Sequence, residues 1–168
     1  SILVPELLER GHEVTALDCL MYRQNSLAHV CHHDRFSLVR GDIRSEETLR
    51  PLLARADVVI PLAALVGAPL CDRDPIGARS TNLDAPLAMF RMLSRNQRVI
   101  MPTTNSAYGK GGREHHCDER SPLNPISTYA RHKVEVEHAL LSREGSISLR
   151  LATAFGMSPR MRIDLLVN

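Results

Sequence analysis

A tyrosine and a lysine stand four residues apart in the stretch PISTYARHKVEVE, Pro125 to Glu137: Tyr129 and Lys133. On a helix that spacing puts both side chains on one face, about one turn apart. A phenol titrates near pH ~10 and is a poor base at neutral pH. A neighbouring ammonium favours the phenolate. The pair is a candidate proton-transfer device. The plain alternative is an incidental polar pair on a helix surface, and the spacing alone does not choose between them.

Such a device needs a scaffold to hold it. Residues 1–10 predict a helix, with Ile2, Leu3, Leu7 and Leu8 at helical spacing and Gly11 just past the end. HEVTALD (12–18) and FSLVRGD (36–42) predict strands. SEETLRPLLARA (45–56) predicts a helix capped by Ser45, with Glu46 and Glu47 where the helix dipole favours acids. DVVIPLAA (57–64) predicts a third strand, buried on both faces by its composition. A helix is expected over Arg79 to Arg95, a fourth strand in RVIMPTT (98–104), a long helix over Ser127–Arg143 and a fifth strand in SISLRLA (146–152).

Strands that alternate with helices, and read as short apolar runs, predict a parallel sheet covered on both faces. The fold class expected is α/β, a doubly wound, Rossmann-like parallel sheet. Ligands of such sheets gather at the carboxyl ends of the strands. The sequence opens inside a helix, and it holds no G-x-G-x-x-G; Gly109, Gly111 and Gly112 follow the fourth strand instead. The first strand and its glycine-rich loop, and most of a C-terminal substrate domain, are therefore expected to lie outside this sequence.

The strand ends carry a consistent set of residues. Asp18 closes the first strand, where an acid accepts hydrogen bonds from the adenosine ribose of a dinucleotide and repels a 2′-phosphate, which favours NAD. Gly41-Asp42-Ile43 ends the second, where a carboxylate and an aliphatic side chain can clamp an adenine. Leu62-Ala63-Ala64 ends the third, where small side chains let a cofactor approach the backbone. Thr103-Thr104 ends the fourth. For each taken alone, ordinary turn chemistry is the alternative.

Bulk composition excludes several classes. The 168 residues are enough for one domain with a core, at 43% hydrophobic and 24% charged. A net charge of +2 on dispersed basic residues, with 4% aromatics and no Trp, argues against a nucleic-acid surface. The longest apolar run, Val58–Val66, is too short to span a bilayer. Cys19, Cys31, Cys71 and Cys117 form no C-x-x-C pair, so a reducing cytoplasm is expected. CHHD (31–34) and HHCD (115–118) lack tetrahedral ligand spacing, and no metal is expected. Met21, Met89, Met92 and Met101 read as core or cleft lining.

GDI, PLAA, TTNSAYG, YARHK and LRLATAFG, in this order and spacing, resemble the extended short-chain dehydrogenase/reductase family. Within it the match is to the NAD-dependent nucleotide-sugar epimerase/dehydratase group. The resemblance implies that Tyr129 takes a hydroxyl proton as hydride leaves for NAD⁺, that the positive nicotinamide ring also favours the phenolate, and that Lys133 also holds the nicotinamide ribose. It implies Thr104 as the third catalytic member, hydrogen-bonded to the same substrate hydroxyl. Asn82 matches an asparagine that touches the cofactor; its alternative is a helix-start cap. The 4,6-dehydratases of this family resemble TDE where this chain has Thr104-Asn105-Ser106. An amide is no general acid and a serine does not replace a carboxylate base, which disfavours 4,6-dehydration.

Epimerisation of a nucleotide-diphosphate sugar is therefore expected, by transient oxidation and return of hydride. The alternatives are a reductase, dehydrogenase or dehydratase of the same family, or a non-catalytic NAD-binding regulatory protein, which makes no use of an intact Tyr/Lys pair. Asn105, Ser106, Thr153, Arg160, Arg162 and Asn168 are the expected substrate residues. Thr153, Met157 and Val66 depart from the family's usual Asn, Pro and, in some 4-epimerases, Lys. Residues 1–157 are expected to form the NAD-binding core and 158–168 to begin a substrate segment. Leu83, Leu87, Phe90, Val134, Leu140 and Leu141 fit the family's four-helix homodimer interface or packing within one chain.

Overall fold

The computed structural model describes residues 1–23, 25–110 and 116–159. The chain divides into two compact units, Ser1–Asp42 with the segment from Thr153, and Ile43–Ala152. Helices and parallel strands alternate in the second, as the sequence predicts, while in the first a 3₁₀ turn (Ala28–Val30) lies between the two parallel strands.

The first unit holds helix α1 (Leu3–Glu9) and strands β1 (Val14–Asp18) and β2 (Phe36–Arg40). β1 and β2 pair in parallel from Val14 opposite Phe36 to Asp18 opposite Arg40. Leu8 is the buried residue of α1, and the guanidinium of Arg35 donates to its carbonyl at 3.2 Å. Both strands keep exposed positions.

The second unit begins with α2 (Glu46–Leu53), where Ser45 Oγ accepts from the Thr48 amide at 3.2 Å, the cap the sequence predicts. Strands β3 (Val58–Val59), β4 (Arg98–Pro102) and β5 (Ile147–Leu149) form a parallel sheet in the order β3-β4-β5. The third strand is far shorter than expected and is not buried on both faces, since Val58 is 46% exposed. Pro61 has no N–H for the ladder, and neither has Pro102 on the facing strand, so pairing beyond Val59 has lost donors on both sides. Only β4 carries fully buried positions, at Val99 and Met101. Val99 and Met101 share one face of β4, while Ile100 and Pro102 on the other are half-buried, so the full covering of both faces expected from composition is not reached.

The helix expected over Arg79–Arg95 starts earlier and ends sooner. α3 (Ala68–Arg73), which the sequence reading lacked, precedes α4 (Pro75–Arg79). Asp74 caps α4, with Oδ1 accepting from the Gly77 amide at 2.9 Å, and Pro75 fits the first helical turn. A π-helical turn (Ser80–Asp84) then leads into α5 (Ala85–Met92). Pro86 cannot donate to Asn82, four residues back, and its ring crowds that carbonyl, so the wider π turn relieves the conflict. The turn puts the consecutive residues Asn82 and Leu83 both inside.

The long helix α6 (Thr128–Leu141) is capped by Ser127, whose Oγ accepts from the Ala130 amide at 3.2 Å. Its buried stripe runs Ala130, Lys133, Val136, Glu137 and Leu140, with His132 beside it. Leu83, Phe90 and Leu140 are buried within the chain, whereas Leu141 is exposed. Met89 and Met101 lie in the core, but Met21 is exposed. All four cysteines are free, and only Cys71 is buried. Among the described residues no helix is long and apolar enough to cross a membrane.

Candidate active site

Tyr129 opens the buried stripe of α6. Its half-buried ring packs against Leu65, Cys71 and Ala78. Burial, and then the nearby Cys71 thiol, push the phenol above its ordinary value. The sequence reading expected Lys133 to favour the phenolate. Desolvation, joined by Cys71, instead favours the neutral phenol.

Lys133, one turn on, is 4% exposed. Burial pulls its ammonium down to about 8. Its Nζ donates to the carbonyl of Pro102 at 3.4 Å, at the end of β4. An ammonium has three N–H donors, and among the described residues this carbonyl is its one acceptor. A buried cation with unspent donors fits a bound group that brings hydroxyl oxygens, such as the ribose of NAD.

Thr103 and Thr104 follow β4, each 7% exposed. Thr104 Oγ1 accepts from the Ser106 amide at 3.1 Å and caps a 3₁₀ turn, Asn105–Tyr108. Accepting leaves the hydroxyl proton free to be donated. Asn105 and Ser106 are exposed at the start of that turn. Gly109 ends it at φ 74°, and a Cβ there would collide with the Asn124 carbonyl.

Asn82 does not start a helix. Its amide is 1% exposed in the π turn and clamps the backbone of Leu65 from both sides. Oδ1 accepts from the Leu65 amide and Nδ2 donates to the Leu65 carbonyl, each at 2.8 Å. Leu65 in turn packs with Cys71 and Ala78 against Tyr129. Leu62, Ala63 and Ala64 lie beyond the end of β3 in irregular chain, with Leu62 59% exposed. They do not close a strand as expected, because the strand stops at Val59.

In the first unit, the ends of β1 and β2 come together as the sequence predicts. The Gly41 amide donates to the Asp18 carbonyl at 3.1 Å, which sets Gly41-Asp42 beside Asp18. The Asp18 carboxylate accepts from the Leu20 amide at 2.7 Å, and Leu20 takes a left-handed φ of 55°. That is the turn chemistry held as the alternative for this position. Thr153 is exposed in this unit. Arg160, Arg162 and Asn168 lie outside the described residues, as do Gly111, Gly112 and His115. Among the described residues no cluster of His, Cys, Asp or Glu could hold a metal.

Sequence reasoning missed the group that binds these parts together. Glu137, one turn beyond Lys133, is 1% exposed and pairs with Arg150 at 2.6 Å. Burial alone would raise its carboxyl, but hydrogen bonds from Arg150, Ser148 and Thr103 outweigh that and hold it below the ordinary range. The signal was present: Glu137 stands i+4 from Lys133 on the stripe that the Ser127 cap defines.

Parallel strands joined through helices, with candidate chemistry at the strand ends and on α6, define a Rossmann-like α/β protein. The chain belongs to the NAD dependent epimerase/dehydratase family, whose profile matches residues 1–167. NAD is the cofactor that this membership carries. UDP-glucuronic acid decarboxylase 1 of Arabidopsis thaliana is 27% identical over 98% of this chain and 39% of its own length. A UDP-glucose 4-epimerase of Neisseria meningitidis serogroup C is 27% identical over 83% of the chain and 43% of its own. The NAD complex of Thermus thermophilus UDP-glucose 4-epimerase superposes with a TM-score of 0.76 at 26% identity, over 88% of this chain and 50% of that one. The chain thus spans about half or less of these relatives' lengths.

Proposed function

We propose that this chain carries the catalytic core of an NAD-dependent nucleotide-sugar epimerase. The observation that supports it most is the placement of half-buried Tyr129 and buried Lys133 one turn apart on α6, with Lys133 anchored to the strand that runs on to Thr104. Tyr129 takes the proton of a sugar hydroxyl and later returns it. Lys133, protonated below about pH 8, supplies positive charge one turn away and donates to ribose oxygens. Thr104 donates to the reacting hydroxyl. NAD, when bound, would supply the acceptor for hydride from the sugar carbon and the donor for its return.

Asp18, Asp42 and Ile43 are assigned to the adenosine half of the cofactor, and Leu62, Ala63 and Ala64 to its close approach to the protein backbone. Asn82 acts through Leu65. Asn105, Ser106 and Thr153, with Arg160, Arg162 and Asn168, are assigned to the sugar nucleotide. The working form is a cytoplasmic homodimer, joined through α5 and α6.

A second reading is decarboxylation, favoured by the Arabidopsis relative that aligns over nearly the whole chain. It uses the same oxidation, followed by loss of CO₂ from a uronic acid. Both readings are tested by one screen of the native-length protein against UDP-, dTDP-, GDP- and CDP-sugars, including a UDP-uronic acid. Epimer formed without net NADH supports the first reading. CO₂ release moves it to the second, net NADH change to a dehydrogenase or reductase, and no conversion with no bound NAD sinks all three.

A further inference from the structure

We propose that Glu137 and Arg150 are positioning residues that hold Lys133 and the Thr104 strand end in working register. The proposal rests on the function above. Glu137 is satisfied at both oxygens. Oε1 accepts from Arg150 Nε at 2.9 Å and Nη2 at 2.6 Å. Oε2 accepts from Ser148 Oγ at 2.7 Å and Thr103 Oγ1 at 2.9 Å. Those two hydroxyls are also 2.9 Å apart. Two hydroxyls have only two protons, and the carboxylate takes both, so the Thr103–Ser148 contact is a consequence of the clamp.

Arg150 extends the clamp outward. Its Nη1 donates to Tyr108 Oη at 3.0 Å and to the Glu119 carbonyl at 3.3 Å. Its guanidinium carbon lies 5.2 Å from the centroid of the Tyr108 ring. Tyr108 Oη donates to the Asp118 carbonyl at 2.9 Å. One carboxylate therefore ties α6 to the end of β4, to β5, and to the 3₁₀ turn that Thr104 caps. Thr103 is the residue beside Thr104, and Glu137 is one turn from Lys133.

Stability alone gives little reason for such a pair. A buried ion pair loses solvation of both charges, and apolar residues of similar shape serve stability equally well or better. What the pair supplies is directional: five fixed donors on Arg150 and two oxygens on Glu137 admit one relative setting of helix and strands.

The test is the double variant Glu137→Gln/Arg150→Met in the native-length protein, which removes the charges together and leaves none unpaired. We expect a melting temperature close to wild type, unchanged NAD occupancy, and kcat reduced at least ~10-fold, the order of a disturbed proton-transfer geometry. Nitrogen NMR of the lysine side chains should show Lys133 titrating above its wild-type value, as its seat against Pro102 loosens. Recovery of both kcat and the Lys133 titration to wild type would overturn the positioning role and leave a purely structural pair. If the double variant does not fold, Thr103→Val answers the same question, since it removes one of the two donors to Glu137 Oε2 beside Thr104 without exposing a charge. Wild-type kcat and Lys133 titration in that variant would equally overturn it. The Lys133 titration needs no turnover, so it decides the positioning role even if the wild type converts no sugar, the result that would sink the proposed function instead.

Discussion

Around Tyr129, α6 meets Leu65, Cys71 and Ala78, and the polar work is done at a distance by the Asn82 amide on the Leu65 backbone. Two turns further on, the same helix meets Arg150, Ser148 and Thr103, and every partner of Glu137 donates to it. The consequences run in opposite directions. Burial raises the Tyr129 phenol and keeps it neutral, while donors hold the Glu137 carboxyl ionised despite burial. A neutral group is buried by packing; a charge is buried only with its partners. Lys133 stands between the two regions with, among the described residues, one carbonyl acceptor, and burial pulls its ammonium down to about 8. Its unspent donors fit a group that receives a ligand.

The largest effect should come from the dry side. Tyr129→Phe keeps the packing and removes the hydroxyl, so turnover should fall by roughly 10²–10⁴ while bound NAD, read from the absorbance of the released cofactor, stays in place. Near-normal rates would show that the apolar cluster holds no proton carrier.

Next comes the residue between. Lys133 titrates at about 8 in the fold and ordinarily at 10.5. The folded protein therefore gives up this proton more readily than the unfolded chain. The penalty is complete below about pH 8 and fades as pH rises to 10.5. Lys133→Met should abolish turnover yet stabilise the protein at pH 7 by up to roughly 3 kcal/mol. Denaturant titrations of both proteins across this range should show the gap closing with rising pH; a constant gap would mean that Lys133 is better solvated than its burial indicates.

Asn82→Ala tests the apolar side for its hidden polar support. It leaves the Leu65 amide without a partner and its carbonyl with the Cys71 thiol, a weak donor, which should cost about 2 kcal/mol by chemical denaturation. A loss below ~0.5 kcal/mol would show that water replaces the amide and that the region is less dry than its packing suggests. The smallest change belongs to the charged side. Ser148→Ala removes one of four donors to Glu137 and should cost about 1 kcal/mol, with Thr103 still in place.

Legibility differed by the kind of constraint. The caps at Ser45 and Ser127, and the alternation of elements, were plain in the sequence because each depends on neighbours within a few residues. The length of the third strand was misread because two prolines on facing strands, Pro61 and Pro102, act together. The start of the helix before Asn82 was misread because Asp74-Pro75 was passed over as a cap and Pro86 forces a π turn. Tyr129, Lys133 and Thr104 stand out as candidates through local motifs. Glu137 stands in the same stretch but is not legible there, since its partners lie 34, 11 and 13 residues away.

By itself the sequence determined which residue types stand at the strand ends and on the face of α6, because periodicity and capping are short-range. Only the tertiary structure decided their protonation and their partners. Burial and long-range hydrogen bonds set those: they raise the phenol, lower the ammonium, and keep one carboxylate charged in the core.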